Sequence, residues 1–321
     1  MSIHQCTGGG ATPVDTLHRG RPVVANGTVY TDTGKLLVGA TMDLRKQTTP
    51  PANRQSVWDS YRAAGLNFVR FGVKTDVDGA GRPVATQLPY IDAAVDCAWN
   101  ARMYIMILVS INPGGYNKAQ LTEFWTAIAS RYKDRPHVFY EITNEPVSGG
   151  GYWGQTSHWT TAKLTDLRDV FDIMRAGAPD TLICMFSTPK LYPNATSWGT
   201  VPAQFSALRS PAVDWSKTVI SFHHYPGTYL FGDPDGFGGL AALKTAGYSL
   251  LMSECNDFIG DGPSEDPRNH TDIWIWLTGG HGPCSPIAWA CLDGKGGTIT
   301  QQITSEIIPA LNGAGLGLVV E

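Results

Sequence analysis

No run of lysine or arginine interrupts this sequence, and its formal net charge is only −4. Nucleic acid and acidic membrane surfaces both require a basic footprint, so neither is an expected partner. No apolar stretch approaches the roughly 20 residues needed to cross a bilayer, so no membrane span is expected. Charged residues make up 16% and hydrophobic residues 42%, which excludes a disordered chain and leaves a globular one. Several reaction classes lack their signatures. There is no Walker A loop, no Gly-x-Ser-x-Gly elbow, no His-Glu-x-x-His pair and no Cys-x-x-Cys. Adjacent His223 and His224 are a weak metal hint, and neither a metal nor a cofactor is expected. Of six cysteines, Cys97, Cys184, Cys255 and Cys291 sit in apolar runs, where a thiol acts as a small hydrophobe. Only Cys284 and Cys291 are close enough to invite a local bridge. Met1–Gly10 lacks the basic and apolar regions of a secretory leader. The compartment stays open, with an extracytoplasmic one expected if a leader has been removed.

What is present is a repeating order. Short apolar runs at Leu37–Asp43, Asn67–Val73, Met103–Ser110, Val138–Thr143, Leu182–Ser187, Thr218–His223, Ser249–Glu254 and Ile287–Leu292 read as strands. Helix-period segments separate them: Asn53–Ala64, Gln87–Asn100, Lys118–Tyr132, Trp159–Ala176, Pro202–Leu208, Gly238–Ala246, Pro267–Leu277 and Thr300–Leu311. Strands alternating with helices imply a parallel sheet with its helices outside. A strand buried on both faces reads as a continuous apolar run, as Tyr104-Ile-Met-Ile-Leu-Val109 does. Eight such units predict an α/β fold closed as a (β/α)8 barrel. The rival, an open doubly wound sheet, lacks a Gly-x-Gly-x-x-Gly loop at its first β–α turn. Thr28–Thr31 and Lys35-Leu36 flank Asp32-Thr33-Gly34, a hairpin turn that could plug the barrel bottom. Residues 1–34 are therefore read as a segment and hairpin packed on the barrel, and 35–321 as the barrel itself. No linker marks a second domain, and a monomer is expected.

In such a barrel, polar residues at the C-terminal strand ends are the catalytic suspects. Strand 2 ends near Arg70, strand 4 at Asn144-Glu145-Pro146, strand 6 at His223-His224-Tyr225 and strand 7 at Glu254, while strand 8 carries Trp289. Glu145 and Glu254 are far apart in the chain, but strands 4 and 7 face each other across a barrel mouth. Glycosidic bond hydrolysis needs two such carboxyl groups. One protonates the leaving oxygen, and the other attacks or activates water. Arg70 and Tyr225 could hold Glu254 ionised, Asn144 could bond a sugar 2-hydroxyl, and Trp289 could stack on a pyranose ring. Aromatics reach 10%, including ten tryptophans, as flat sugar grooves require. Each residue also has a plainer reading. Glu141 points into the barrel, more as a structural partner of an arginine than as a catalyst. Arg70 alone is as good a stability bridge as a site residue, and strand parity lets only one of His223 and His224 face the mouth.

Tyr140-Glu-Ile-Thr-Asn-Glu-Pro146 resembles the acid/base strand of the cellulase-type glycoside hydrolases, family 5. Ala64-Gly-Leu-Asn-Phe-Val-Arg70, His223-His-Tyr225, Leu251-Met-Ser-Glu254 and Trp289 resemble other elements of that family in the same order. The resemblance implies Glu145 as acid/base and Glu254 as nucleophile of a retaining enzyme acting on β-linked oligo- or polysaccharides. Glucans or mannans cut internally are the expected substrates. It further implies that Arg70 supports the nucleophile, His223 contacts substrate, Tyr225 orients Glu254 and Trp289 lies under the cleaved sugar. Two departures stand out. Leu108-Val-Ser-Ile-Asn-Pro-Gly-Gly115 has Ser110 where the family often has histidine, so a sugar contact is either missing or supplied by Asn112. Cys255-Asn256 replaces the common Phe-Gly after the nucleophile. The alternatives are a non-catalytic sugar-binding barrel and a transglycosylase using the same residues.

Overall fold

The computed structural model describes residues 20–44, 53–74, 84–110, 117–146, 159–188, 200–224, 238–255, 278–279, 286–292, 304 and 307–316. Eight of its strands close into a parallel barrel: β3 Val38–Leu44, β4 Phe68–Lys74, β5 Tyr104–Ser110, β6 Val138–Glu141, β7 Ile183–Thr188, β8 Thr218–His224, β9 Leu250–Cys255 and β10 Ala288–Leu292. They pair in chain order, with β10 closing on β3. Every expected strand is present, most of them shifted by about one residue. The described helices are α1 Gln55–Ala63, α2 Val84–Asn100, α3 Lys118–Ile128, α4 Thr161–Gly177, α5 Thr200–Ala207, α6 Gly238–Thr245 and α7 Ile308–Gly313. The helix expected at Pro267–Leu277 lies outside the described residues, and the one expected over Thr300–Leu311 is described only as α7. Among the described residues, no helix is long and apolar enough to cross a membrane.

Strand alternation sorts the core into two layers. Val69, Phe71, Ile105, Ile107, Val138 and Tyr140 point outward against helix residues. Helix α3 shows why the helices dock there. Its Leu121, Phe124, Trp125 and Ile128 recur at helical spacing and are buried, and Asn117 caps it by accepting from the Gln120 N–H at 3.1 Å. The other set faces the lumen: Leu37, Phe68, Tyr104, Met106, Phe139, Cys184, Val219, Leu251, Ala288 and Ala290. Gly39 is needed beside them, because a Cβ there would lie 2.4 Å from the Phe68 carbonyl oxygen and 2.6 Å from its ring. Toward the C-terminal strand ends the lumen turns polar, with Arg70, Glu141, Ser187, Ser221, His223 and Ser253 all buried.

The opposite end is stoppered by an antiparallel hairpin, β1 Val23–Ala25 and β2 Thr28–Tyr30. Its turn is Asn26-Gly27, both at positive φ (49° and 71°), the backbone a two-residue hairpin demands. The turn expected at Asp32-Thr33-Gly34 also forms, closing a single Tyr30–Leu36 bridge, but the principal hairpin lies one turn earlier. Val29 is buried with the lumen residues. Thr28 Oγ1 donates to the Leu250 carbonyl at 2.8 Å and accepts from the Ala288 N–H at 2.8 Å, so one hydroxyl ties the hairpin to β9 and β10. The cysteines depart from expectation as well. Cys291 is a buried thiol outside any disulfide, so no Cys284–Cys291 bridge forms, and Cys97 is disulfide-bonded rather than a simple hydrophobe.

Thr28→Val keeps the side-chain shape but removes the hydroxyl and strands the buried Ala288 N–H. We expect a loss of about 1–3 kcal/mol of unfolding free energy by denaturant titration. An unchanged midpoint would show that this clasp adds nothing.

Candidate active site

The polar end of the lumen is organised by Arg70. Its position on β4 alternates with outward-facing Val69 and Phe71, so the guanidinium enters the barrel, where it is 2% exposed. A buried charge of this kind persists only if it is paired and hydrogen-bonded. Nε donates to Glu141 Oε2 at 2.6 Å and Nη2 to Glu141 Oε1 at 3.1 Å, a two-point clamp from β6. Nη1 donates to Glu254 Oε2 at 2.5 Å, at the end of β9. Nη2 also donates to Asn144 Oδ1 at 2.8 Å. This fixes the Asn144 amide with its oxygen toward Arg70 and its N–H groups turned away from it.

The chain leaving β6 is held at several points. Trp125 on α3 donates its indole N–H to the Ile142 carbonyl at 2.7 Å. The Asn144 N–H and Thr143 Oγ1 both donate to the Val109 carbonyl at 3.0 Å. The Glu145 N–H donates to the Ser187 carbonyl at 3.1 Å. Glu145 itself sits in the left-handed region, at φ 44°. A non-glycine residue there costs on the order of 1–3 kcal/mol and persists only where its surroundings over-determine it. The supporting backbone is unusual too, with Phe186 and Ser187 at φ 80° and 24° around a β7 irregularity. Ser221 on β8 holds it. Its Oγ accepts from the Ser187 N–H at 3.3 Å, pairs with Ser187 Oγ at 2.6 Å and donates to the Met185 carbonyl at 3.1 Å.

His223 joins the two halves of the site. Its Nδ1 lies 2.9 Å from Glu145 Oε1, while Nε2 lies 3.3 Å from Arg70 Nη2 and 3.9 Å from Glu141 Oε1. Burial disfavours the charged ring, but negative Glu254, Glu141 and Glu145 outweigh it and raise its pKa to about 9. The geometry agrees. Both hydrogens of Arg70 Nη2 have acceptors in Glu141 and Asn144, so His223 Nε2 need not accept one and can carry its own proton. Glu141 is fully buried, which alone would raise its pKa, yet Arg70 and His223 hold it down at about 2.

A carboxylate oxygen of Glu145, one of Glu254 and a ring nitrogen of His223 all lie within 4.8 Å of one another. The two carboxyls differ in setting. Glu254 is 12% exposed and pinned by Arg70, whereas Glu145 is 28% exposed and leans on His223. Among the described residues this is also the one group spaced to hold a metal ion. The Arg70 charge on Glu254 and the protonated His223 both oppose such use.

Of the residues singled out in the sequence, Arg70, Asn144, Glu145, His223 and Glu254 come together. Tyr225 and Asn112 lie outside the described residues. Trp289 does not join them. On β10, Ala288 and Ala290 take the lumen side, so Trp289 and Cys291 point outward into the helix layer. Trp289 is 0% exposed there and donates its indole N–H to Thr278 Oγ1 at 3.2 Å. It is a core residue with no ring face open to a sugar. Sequence reasoning missed Ser253, whose hydroxyl donates to Glu141 Oε1 at 3.0 Å, and the Ser187–Ser221 pair. Period-2 parity on β8 would have turned Ser221 inward beside His223.

Comparison with known proteins gives the family. Residues 32–263, well over half of the chain, match the cellulase family, glycosyl hydrolase family 5, and the chain belongs to that family. Endoglucanase A of Butyrivibrio fibrisolvens is 26% identical over 222 residues, covering 65% of this chain and 45% of the relative. Endoglucanase N of Pectobacterium atrosepticum is 26% identical over 294 residues, covering 88% and 59%. The chain thus spans about half the length of these relatives. Two solved structures share the fold. The catalytic domain of Thermobifida fusca endoglucanase Cel5A in complex with cellotetraose has a TM-score of 0.62 at 22% identity, covering 91% of each chain. A mannotriose complex of Thermomonospora fusca β-mannanase has 0.61 at 17% identity, covering 93% of this chain and 96% of that one.

The buried charges also set the pH range of stability. The raised pKa of His223 stabilises the fold fully below its ordinary value of 6.5, and that share is lost as pH rises through about 9. The depressed pKa of Glu141 stabilises the fold above 4.5, and its share is lost as pH falls toward about 2. Denaturant unfolding at a series of pH values is expected to show stability declining from about pH 6.5 to 9, with a flatter decline in His223→Gln. Identical alkaline slopes in the two proteins would contradict a protonated His223.

Proposed function

We propose that this chain hydrolyses β-linked glycans with retention of configuration, by double displacement at Glu254 and Glu145. The observation that carries the reading is the approach of the two carboxyl groups to within 4.8 Å, each in a different electrostatic setting. Retaining enzymes bring their carboxyls to about 5–5.5 Å, whereas inverting ones leave about 6.5–9.5 Å for a water. Glu254, held ionised by Arg70, attacks the anomeric carbon. Glu145 gives its proton to the departing glycosidic oxygen, and a glycosyl ester on Glu254 results. Glu145, now ionised, takes a proton from water, whose oxygen attacks the same carbon and releases Glu254 as a carboxylate. The Asn144 amide N–H groups suit the sugar 2-hydroxyl, a bond that strengthens toward the oxocarbenium-like transition state. Tyr225 keeps the role the family pattern suggests, orienting Glu254, and Asn112 is the candidate for the sugar contact that the family's histidine would make.

The relatives named endoglucanases favour internal cleavage of a β-glucan as the first substrate to try. The mannanase likeness is one of fold and keeps β-mannan as the second. Glu254→Ala is expected to abolish turnover with the fold intact, and azide to restore turnover with inverted product. Glu145→Ala is expected to lower kcat by about 10²–10⁴-fold on unactivated glycans. It should affect far less an aryl glycoside whose leaving group needs no proton. Reducing-end assays on β-glucans and mannans check the loss in both variants, chromatography of the glycosyl azide checks the rescue, and full activity in either variant would remove these assignments.

A further inference from the structure

One buried acid takes no part in those steps. Glu141 is 0% exposed beneath the site and touches no reacting atom, yet it contacts both cations that serve the catalytic pair. We infer that Glu141 is a positioning residue: a single carboxylate that fixes Arg70 and His223, and through them Glu254 and Glu145. The inference rests on the catalytic assignment made above.

A guanidinium is a rigid planar fork, so holding one edge determines where the remaining nitrogen points. Glu141 grips the Nε and Nη2 edge at 2.6 and 3.1 Å, which leaves Nη1 aimed at Glu254 Oε2. The carboxylate is itself held by the Ser253 hydroxyl at 3.0 Å, one residue before Glu254 on β9. A displacement of about 1 Å in a reacting group can cost on the order of 100-fold in rate. The clamp that sets the direction of Nη1 therefore bears on the rate although it lies below the substrate.

Glu141 faces Arg70 from β4, Cys184 from β7, His223 from β8 and Ser253 with Glu254 from β9, while Asn144 and Glu145 follow on its own chain. Burial and the negative charge of Glu141 push the Cys184 thiol well above its usual range, so it adds no charge. Arg70 and His223 then bring two positive charges whose nitrogens approach to 3.3 Å. When Glu145 carries the proton it donates, Glu254 supplies only one negative charge against them. Glu141 supplies the second, and the buried cluster is neutral. Without it, His223 would lose a facing carboxylate at 3.9 Å and release its proton more readily.

The test is Glu141→Gln, which keeps the shape and removes the charge, assayed beside Glu254→Ala on the same β-glucan. The expected result is a kcat about 100-fold lower with KM little changed. The alkaline limb of the kcat/KM profile, and the His223 titration read by nitrogen NMR, should both move to lower pH. Glu141→Asp keeps the charge but shortens the reach. It should lower kcat while leaving the alkaline limb in place, and it serves if the glutamine variant does not fold. Wild-type kcat and an unmoved limb in Glu141→Gln, or wild-type kcat in Glu141→Asp, would overturn the inference. If that happens while Glu254→Ala is inactive, the catalytic assignment stands without it. Full turnover in Glu254→Ala would overturn both.

Discussion

A permanently charged guanidinium inside a barrel is the constraint on which the rest of this site depends. Arg70 cannot give up its proton and has almost no access to water, so its hydrogen bonds must be met by groups folded around it. The chain meets them with Glu141 from β6, Glu254 from β9 and Asn144 just beyond β6. Arg70, the Glu141–Asn144 segment and Glu254 are far apart in the sequence. They meet because a closed barrel brings inward-facing residues of non-adjacent strands into one layer, and a misplaced strand would leave a buried charge unmatched. Stability and reactivity thus draw on the same atoms.

The two carboxyls sit in different surroundings. Glu254 lies against the fixed Arg70 cation, which favours its charged form. Glu145 reaches further toward solvent on a strained backbone that β7 and β8 hold through Ser187 and Ser221. The apolar lower lumen and the hairpin at the far end give this polar cluster a rigid floor. Strain at Glu145 is sustained because Trp125, Val109 and Ser187 each bind the segment around it.

Much of this was legible in the sequence because barrel strands are buried on both faces and stand out as apolar runs. Tyr104–Val109 announced itself in that way, and the boundaries erred mostly by a residue. Inward parity marked Glu141 as an arginine's partner, and Arg70 is that arginine. The principal hairpin turns at Asn26-Gly27, a dipeptide whose turn preference is as visible in the sequence as that of Asp32-Thr33-Gly34. Other features were less visible. Trp289 was assigned by its nearness to a strand end, whereas the small Ala288 and Ala290 on either side already marked the lumen face and left the indole outside. The left-handed backbone of Glu145 carries no local signal, since a glutamate does not prefer it and only tertiary contacts impose it. His223 could be placed on the inner face by parity, but its charge depends on three carboxyls brought together by folding.

The central claim is that the Glu254 carboxylate becomes covalently attached to the sugar. An activated 2-deoxy-2-fluoro β-cellobioside, whose fluorine slows release more than attachment, tests it most directly with mass spectrometry of the intact and digested protein. The account predicts one glycosyl group per chain, located on Glu254, with Glu145 unmodified. Attachment at any other residue, or β-glucan hydrolysis that inverts the anomeric centre with no attachment, would contradict it.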